Sequence, residues 1–199
     1  MLLTYGHGTD SAERTVAVLA GAGVSALVDI RTAPGSRRNP QFARAAMEEW
    51  LPAAGIGYRW EKRLGGFRRP GADNPDAAWR EDMFRGYAEH MRSADFGAAV
   101  DAVLAEAVLV EAVLVESVLA ESGSAVAGSG SAFLTVMCSE SLWWRCHRRL
   151  FADFVSVARG VEVRHLMHDG RVEAHRPSPG LRLRADGLLV YDGGQPTLL

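Results

Sequence analysis

Three short runs of apolar residues constrain this chain more than anything else in it. They are LLTY at 2–5, VSALVDI at 24–30 and AFLTVM at 132–137. None alternates apolar and polar positions along its whole length, as a half-solvated strand does. Each reads as a strand buried on both faces, the kind found in parallel sheets covered by helices. Between the first two lies SAERTVAVLAGAG, a helix with Asp10 or Ser11 as its cap, Glu13 in its first turn and glycines at its end. This strand–helix–strand unit of about 30 residues is the building block of a parallel sheet. The predicted fold is α/β: one domain with a mostly parallel central sheet and helices on both faces, a Rossmann-like three-layer arrangement. At 199 residues and 48% hydrophobic content, the chain can fill one such core.

The remaining elements follow from spacing. ARAAMEEWLPAAG predicts a second helix, GYRW a short strand, and DAAWREDMFRGYAEHMRS a helix whose apolar face carries Trp79, Met83 and Tyr87. WWRCHRRLFADFVSVARG reads as a single helix and VEVRHLM as the last strand, followed by an Asp169-Gly170 turn. From 102 to 121 the sequence repeats with a period of five, AVLAEAVLVEAVLVESVLAE, and then runs into SGSAVAGSGS. A period of five fits neither a helix nor a strand face, and on a helix the glutamates spiral round the axis. Residues 102–131 are expected to be a low-complexity helical insertion plus flexible linker without chemical function, or else a homodimer contact covering an apolar helix. The domain is expected over 1–180, with 181–199 as a tail that frays or forms a weak hairpin.

Charge narrows the partners. The formal net charge is -2 and the pI about 6.3, so nothing calls for a polyanion. Lys62 is the only lysine, and the basic residues are otherwise arginine. A codon bias favouring Arg, Ala and Gly is the plainer cause of that skew, so each arginine must be argued by its position. Two cysteines do not make a secreted disulfide scaffold. MLLTYGHG does not read as a secretory leader, and no charge-free run is long enough to span a bilayer. The expectation is a soluble cytoplasmic protein without a membrane partner.

In an open parallel sheet, ligands bind beyond the C-terminal ends of the strands. That rule gathers His7 after the first strand, Asp29 and Arg31 at the end of the second, Cys138 and Glu140 at the end of the cysteine strand, and His165 on the last strand. Cys138, before a predicted helix and near arginines, could be an activated thiolate or a small core residue. Asp29 could orient a histidine or simply pair with Arg31. Arg63, Gly65 and Gly66 form a loop able to hold an anion. Cys146 and His147, adjacent on a helix, would point about 100° apart and would not face one ligand. A Cys138–Cys146 disulfide has no strong signal.

Several of these segments occur together in one order: GHG, DIRTAPGSRR, RLGG, FRGYAEHM, CSESLWWRCHRRL, VRHLMHDG and the later His175. In this the chain resembles the domain-of-unknown-function 488 family of bacterial and archaeal proteins, over nearly the whole length to about His175 apart from the repeat and linker. The resemblance implies a single α/β domain and supplies no reaction. Its motif positions fall on His7, Asp29, Arg31, Pro34, Ser36, Arg63, Gly65, Gly66, Cys138, Glu140, Cys146, His147, Arg148 and His165.

Four functions compete. The first is an enzyme with Cys138 as nucleophile, His7 or Glu140 as acid–base, and Asp29 as orienting group. Arg31, Ser36, Arg63, Gly65, Gly66, His147 and Arg148 would then bind a small anionic substrate, nucleotide-like or phosphorylated. The second is a zinc or iron site drawn from His7, Cys138, Cys146, His147 and His165. The third is a nucleic-acid-binding module using the arginine loops, against which stand the balanced charge and the lack of a basic stripe. The fourth is a purely structural role for the cysteines and histidines.

Overall fold

A computed structural model describes residues 1–35, 37–121 and 132–194; of 113–121 only the backbone course is described. Five strands run parallel: β1 (Leu2–Gly6), β2 (Val24–Asp29), β3 (Gly57–Trp60), β4 (Phe133–Cys138) and β5 (Val163–Leu166). β6 (Val172–Ala174) closes the edge antiparallel to β5. The order across the sheet is β3-β2-β4-β1-β5-β6. The Asp169-Gly170 turn makes the β5–β6 hairpin, with Gly170 at φ 84° and the Asp169 carboxylate accepting from the Arg171 N–H at 3.0 Å.

The three-layer expectation holds. α1 (Ala12–Gly21) and α2 (Arg44–Ala53) cover one face of the sheet. There Val18, Leu19, Met47 and Leu51 pack on Leu3, Tyr5, Leu27 and Met137. α3 (Asp82–His90), α4 (Ala94–Glu121) and α5 (Arg148–Asp153) cover the other. On that face Tyr87, Phe96, Val100, Leu150 and Phe151 pack on Leu2, Val28, Leu134 and Val136. Consecutive strand side chains therefore feed two cores by simple alternation. Ser11 caps α1, its hydroxyl accepting from the Arg14 N–H at 3.2 Å.

Three expectations change. The face of α3 is built from Phe84, Tyr87 and Ala88; Met83 is exposed, and Trp79 precedes the helix and stacks near Phe84 and Tyr191. The segment read as one helix from 143 breaks into a 3-10 turn (Trp143–Arg145), an extended Cys146, α5, and a π-helical turn (Phe154–Ala158). α4 starts well before the repeat, and Val103 and Ala107 within 102–131 lie in the core, so the start of the repeat belongs to the domain. Glu106 pairs with Arg59 at 2.6 Å, while Val108 and Leu109 are exposed; the linker at 122–131 lies outside the described residues. The segment from 181 follows the hairpin reading and packs through residue 191. β7 (Arg182–Leu183) and β8 (Leu189–Val190) form a hairpin, and Leu181, Leu189 and Tyr191 are buried; 195–199 lie outside the described residues. Among the described residues, no helix is long and apolar enough to cross a membrane.

Candidate active site

The chain leaves β1 and β2 toward the face of α1 and α2, but leaves β4 toward the face of α5. β4 lies between β1 and β2, so its C-terminal end opens into a crevice between connections that diverge. A cavity of about 450 Å³ occupies this crevice, with His7, Arg31, Gly66, Glu140, Cys146 and His147 on its wall. Phe67, 78% exposed, and Met83 form an apolar lip.

The cysteines sit together at its floor. β4 ends on Cys138 with its side chain toward α5, and the 3-10 turn brings the chain back so that Cys146 meets it, Sγ to Sγ, at 2.9 Å. Both are free thiols. Only Cys146 reaches the cavity wall; Cys138 lies beneath it, its Sγ also 3.7 Å from the Glu140 carbonyl oxygen. The Arg148 backbone N–H donates to Cys146 Sγ at 3.3 Å. The Arg148 side chain is buried at 1% exposure. It donates from Nη2 to the carbonyls of Glu140 and Ser141, leaves Nε unpartnered, and has no carboxylate partner among the described residues. A buried guanidinium without an anion is costly, which favours ionisation of a neighbouring thiol. Burial by itself would raise both thiols. For Cys146, the Cys138 S–H, the Arg148 charge and the Arg148 N–H outweigh burial and bring it down to about 7. Cys138, raised first by burial and then by its contact with the Cys146 sulfur, is pushed well up.

His7, Asp29 and Arg31 form a second unit on the α2 side. Asp29 is fully buried and takes a bidentate fork from Arg31, with Nε at 2.9 and 3.0 Å and Nη2 at 2.5 Å, and accepts from Tyr58 Oη at 3.0 Å. Asp29 thus orients Arg31 and, among the described residues, makes no hydrogen bond to a histidine. Arg31 Nη1 in turn donates to His7 Nε2 at 3.2 Å, and His7 Nδ1–H donates to the Gly8 carbonyl at 2.9 Å. The imidazole stacks on Phe42 with centroids 3.9 Å apart. Burial first, then the Arg31 charge, lowers His7 to about 3, so it is neutral with its lone pair engaged.

His147 Nε2–H donates to the Ile30 carbonyl at 3.0 Å, and burial holds the ring neutral. Cys146 and His147 share one wall because Cys146 is extended (φ -134°, ψ 169°), contrary to the divergence expected of a continuous helix. Gly65 and Gly66 are needed for close packing. A Cβ on Gly65 would lie 2.6 Å from Thr32 Oγ1, and one on Gly66 would lie 2.5 Å from His147 Nδ1. Glu140 is exposed at the mouth. Arg63 is away from the cavity, held by Glu61 at 2.7 Å, and its carbonyl receives His90 Nε2–H at 2.6 Å. Ser36 lies outside the described residues.

His165 belongs to a different cluster. Its Nδ1 meets Thr4 Oγ1 at 2.7 Å and its Nε2 meets His175 Nδ1 at 3.0 Å, while His175 Nε2 meets Asp153 Oδ1 at 2.9 Å. Trp143 stacks on His165 at 4.0 Å, and Tyr191 donates to Asp153 at 2.9 Å. This chain ties β1, β5, α5 and the C-terminal hairpin together. The five candidate metal ligands therefore do not converge. Among the described residues, no three Cys, His, Asp or Glu side chains are grouped as metal ligands. The sequence reading missed Asp153, Trp143, Phe42 and the lip residues Phe67 and Met83. Asp153 left one signal, an acid inside the apolar run LFADFV.

The family described as "Domain of unknown function DUF488" matches residues 11–121, more than half of the chain. The chain belongs to that family. No curated protein and no solved structure matches it.

Proposed function

We propose that this protein is a thiolate-dependent enzyme, of hydrolase or transferase type, acting on a small anionic substrate in the cavity at the end of β4. Cys146 is the nucleophile in this reading, taking the role that position alone suggested for Cys138. The observation that carries it is a cavity-lining sulfur that accepts the Arg148 backbone N–H at 3.3 Å, in a residue whose guanidinium is buried and has no carboxylate partner among the described residues. A sulfur that accepts two hydrogen bonds beside a desolvated cation is a nucleophile at neutral pH. Cys138 acts as its hydrogen-bond donor.

Arg31 and Arg145 line the same cavity and supply guanidinium groups for the anionic part of the substrate. Phe67 and Met83 offer an apolar lip to a planar or apolar part, which suits a nucleotide-like or phosphorylated compound. Glu140 at the mouth is the carboxylate placed to pass protons to a leaving group. His7 and Asp29 are positioning residues, since both are spent on holding Arg31.

The test is alkylation by iodoacetamide across pH, with and without inorganic phosphate or nucleoside monophosphates. Cys146 should be labelled with a midpoint near pH 7. A bound anion at about 90% occupancy should slow labelling on the order of tenfold. Labelling that no anion slows, or that falls on Cys138 alone, contradicts the proposal.

A further inference from the structure

The Cys138–Cys146 contact exceeds what a nucleophile needs. A hydrogen-bond donor to Cys146 could be any hydroxyl or amide, yet the group present is a second thiol with its sulfur 2.9 Å away. We propose that Cys138 and Cys146 form a peroxide-responsive dithiol, in which a small hydroperoxide oxidises Cys146 and Cys138 then closes a disulfide from beneath. The inference rests on the same Cys146 thiolate as the enzyme reading and adds the regulation of that site.

Three observations carry it. The sulfurs need only approach from 2.9 Å to about 2.05 Å to bond. Cys146 is held in extended backbone between two short helical pieces, so this contraction breaks no helical ladder. Access is also graded: Cys146 is 7% exposed and lines the cavity, whereas Cys138 is 2% exposed and does not. An oxidant must therefore be small and must meet Cys146 first, which favours a hydroperoxide over a protein disulfide.

The chemistry balances in two steps. Cys146 thiolate attacks one peroxide oxygen, the O–O bond breaks, and the other oxygen leaves as water or alcohol after taking a proton. This gives Cys146–SOH. Cys138 sulfur then attacks Cys146 Sγ, the S–O bond breaks, and the oxygen leaves as water with the Cys138 proton. Two thiols and one hydroperoxide yield one disulfide, water and the reduced oxidant. A small dithiol restores the reduced pair by exchange. While the disulfide stands, the nucleophile is withdrawn and the enzyme is off.

The experiment is intact-mass and peptide analysis of the full-length reduced protein titrated with hydrogen peroxide, followed by alkylation. The wild type should lose two hydrogens, hide both cysteines from alkylation and recover with dithiothreitol. Cys138→Ser and Cys138→Ala should each retain one oxygen on Cys146 and capture a sulfenate-trapping dione there. Cys146→Ser should leave Cys138 unoxidised at the same peroxide dose. Over-oxidation of wild-type Cys146 to sulfinate without a disulfide overturns the proposal, as does crosslinking only between molecules. The wild-type result decides even if a variant fails to fold. A disulfide without anion protection of Cys146 keeps this inference and removes the substrate reading; anion protection without a disulfide does the reverse.

Discussion

Single residues set the electrostatics of this molecule, and its histidines give a direct readout. His7 is lowered to about 3 and His165 to about 2, in each case first by burial. A histidine held neutral in the fold binds fewer protons than it does when unfolded, where its value is 6.5. Stability from such a group is present above pH 6.5 and is lost as pH falls toward the folded value. The expected result is a urea midpoint that drops steadily below pH 6.5, by up to about 1.4 kcal/mol per pH unit for each of the two. His165→Asn should flatten that slope by about one proton; an unchanged slope contradicts its assignment as a neutral buried group. Much at this scale was legible in the sequence. Strand ends pointed to His7, Arg31, Glu140 and the cysteine region, which do lie at the crevice. What strand ends cannot tell is which sulfur faces the cavity and which lies below it, because that depends on how the loop after β4 returns. Nor could they show that Arg148 is buried under the thiols while Arg63 is tied to Glu61.

Elements hold these residues by close approach. β1 ends on Gly6, where a Cβ would strike the Glu140 carbonyl and lie 2.6 Å from Arg148 Nη2. The obstacle is backbone, so it cannot swing aside. Gly6→Ala is expected to destabilise by about 3 kcal/mol or more and to displace the Arg148 contact. Urea denaturation and the Cys146 alkylation rate would show both losses, and a neutral substitution would contradict the packing described. The parallel strands and α1 were readable because apolar runs and a serine cap are local signals. The break after Trp143 was not. WWRCHRRL has good helical propensity, and the interruption at Cys146 is imposed by long-range contacts, namely the Cys138 sulfur and the carbonyl of Ile30 receiving His147. Tertiary contacts override propensity there.

For the whole molecule, the family match over residues 11–121 and the three-layer sheet define one α/β domain. Among the described residues, Ala107 is the last of the repeat helix in the core, and Glu111 still pairs with the N-terminal amine at 3.2 Å. Replacing 108–131 by a short glycine–serine connection is expected to leave the urea midpoint and the Cys146 alkylation rate nearly unchanged; a collapse of either would assign the segment a role in the fold. The chemistry of the site turns on one ionisation, that of Cys146. The most direct measurement is thiolate ultraviolet absorbance against pH for wild type, Cys146→Ser and Arg148→Met. A wild-type transition near pH 7 is expected; it should vanish in Cys146→Ser and move up by a pH unit or more in Arg148→Met, roughly the size expected on removing a neighbouring buried cation. A wild-type transition only above about pH 8.5, the ordinary thiol value, or one that survives in Cys146→Ser, would contradict it.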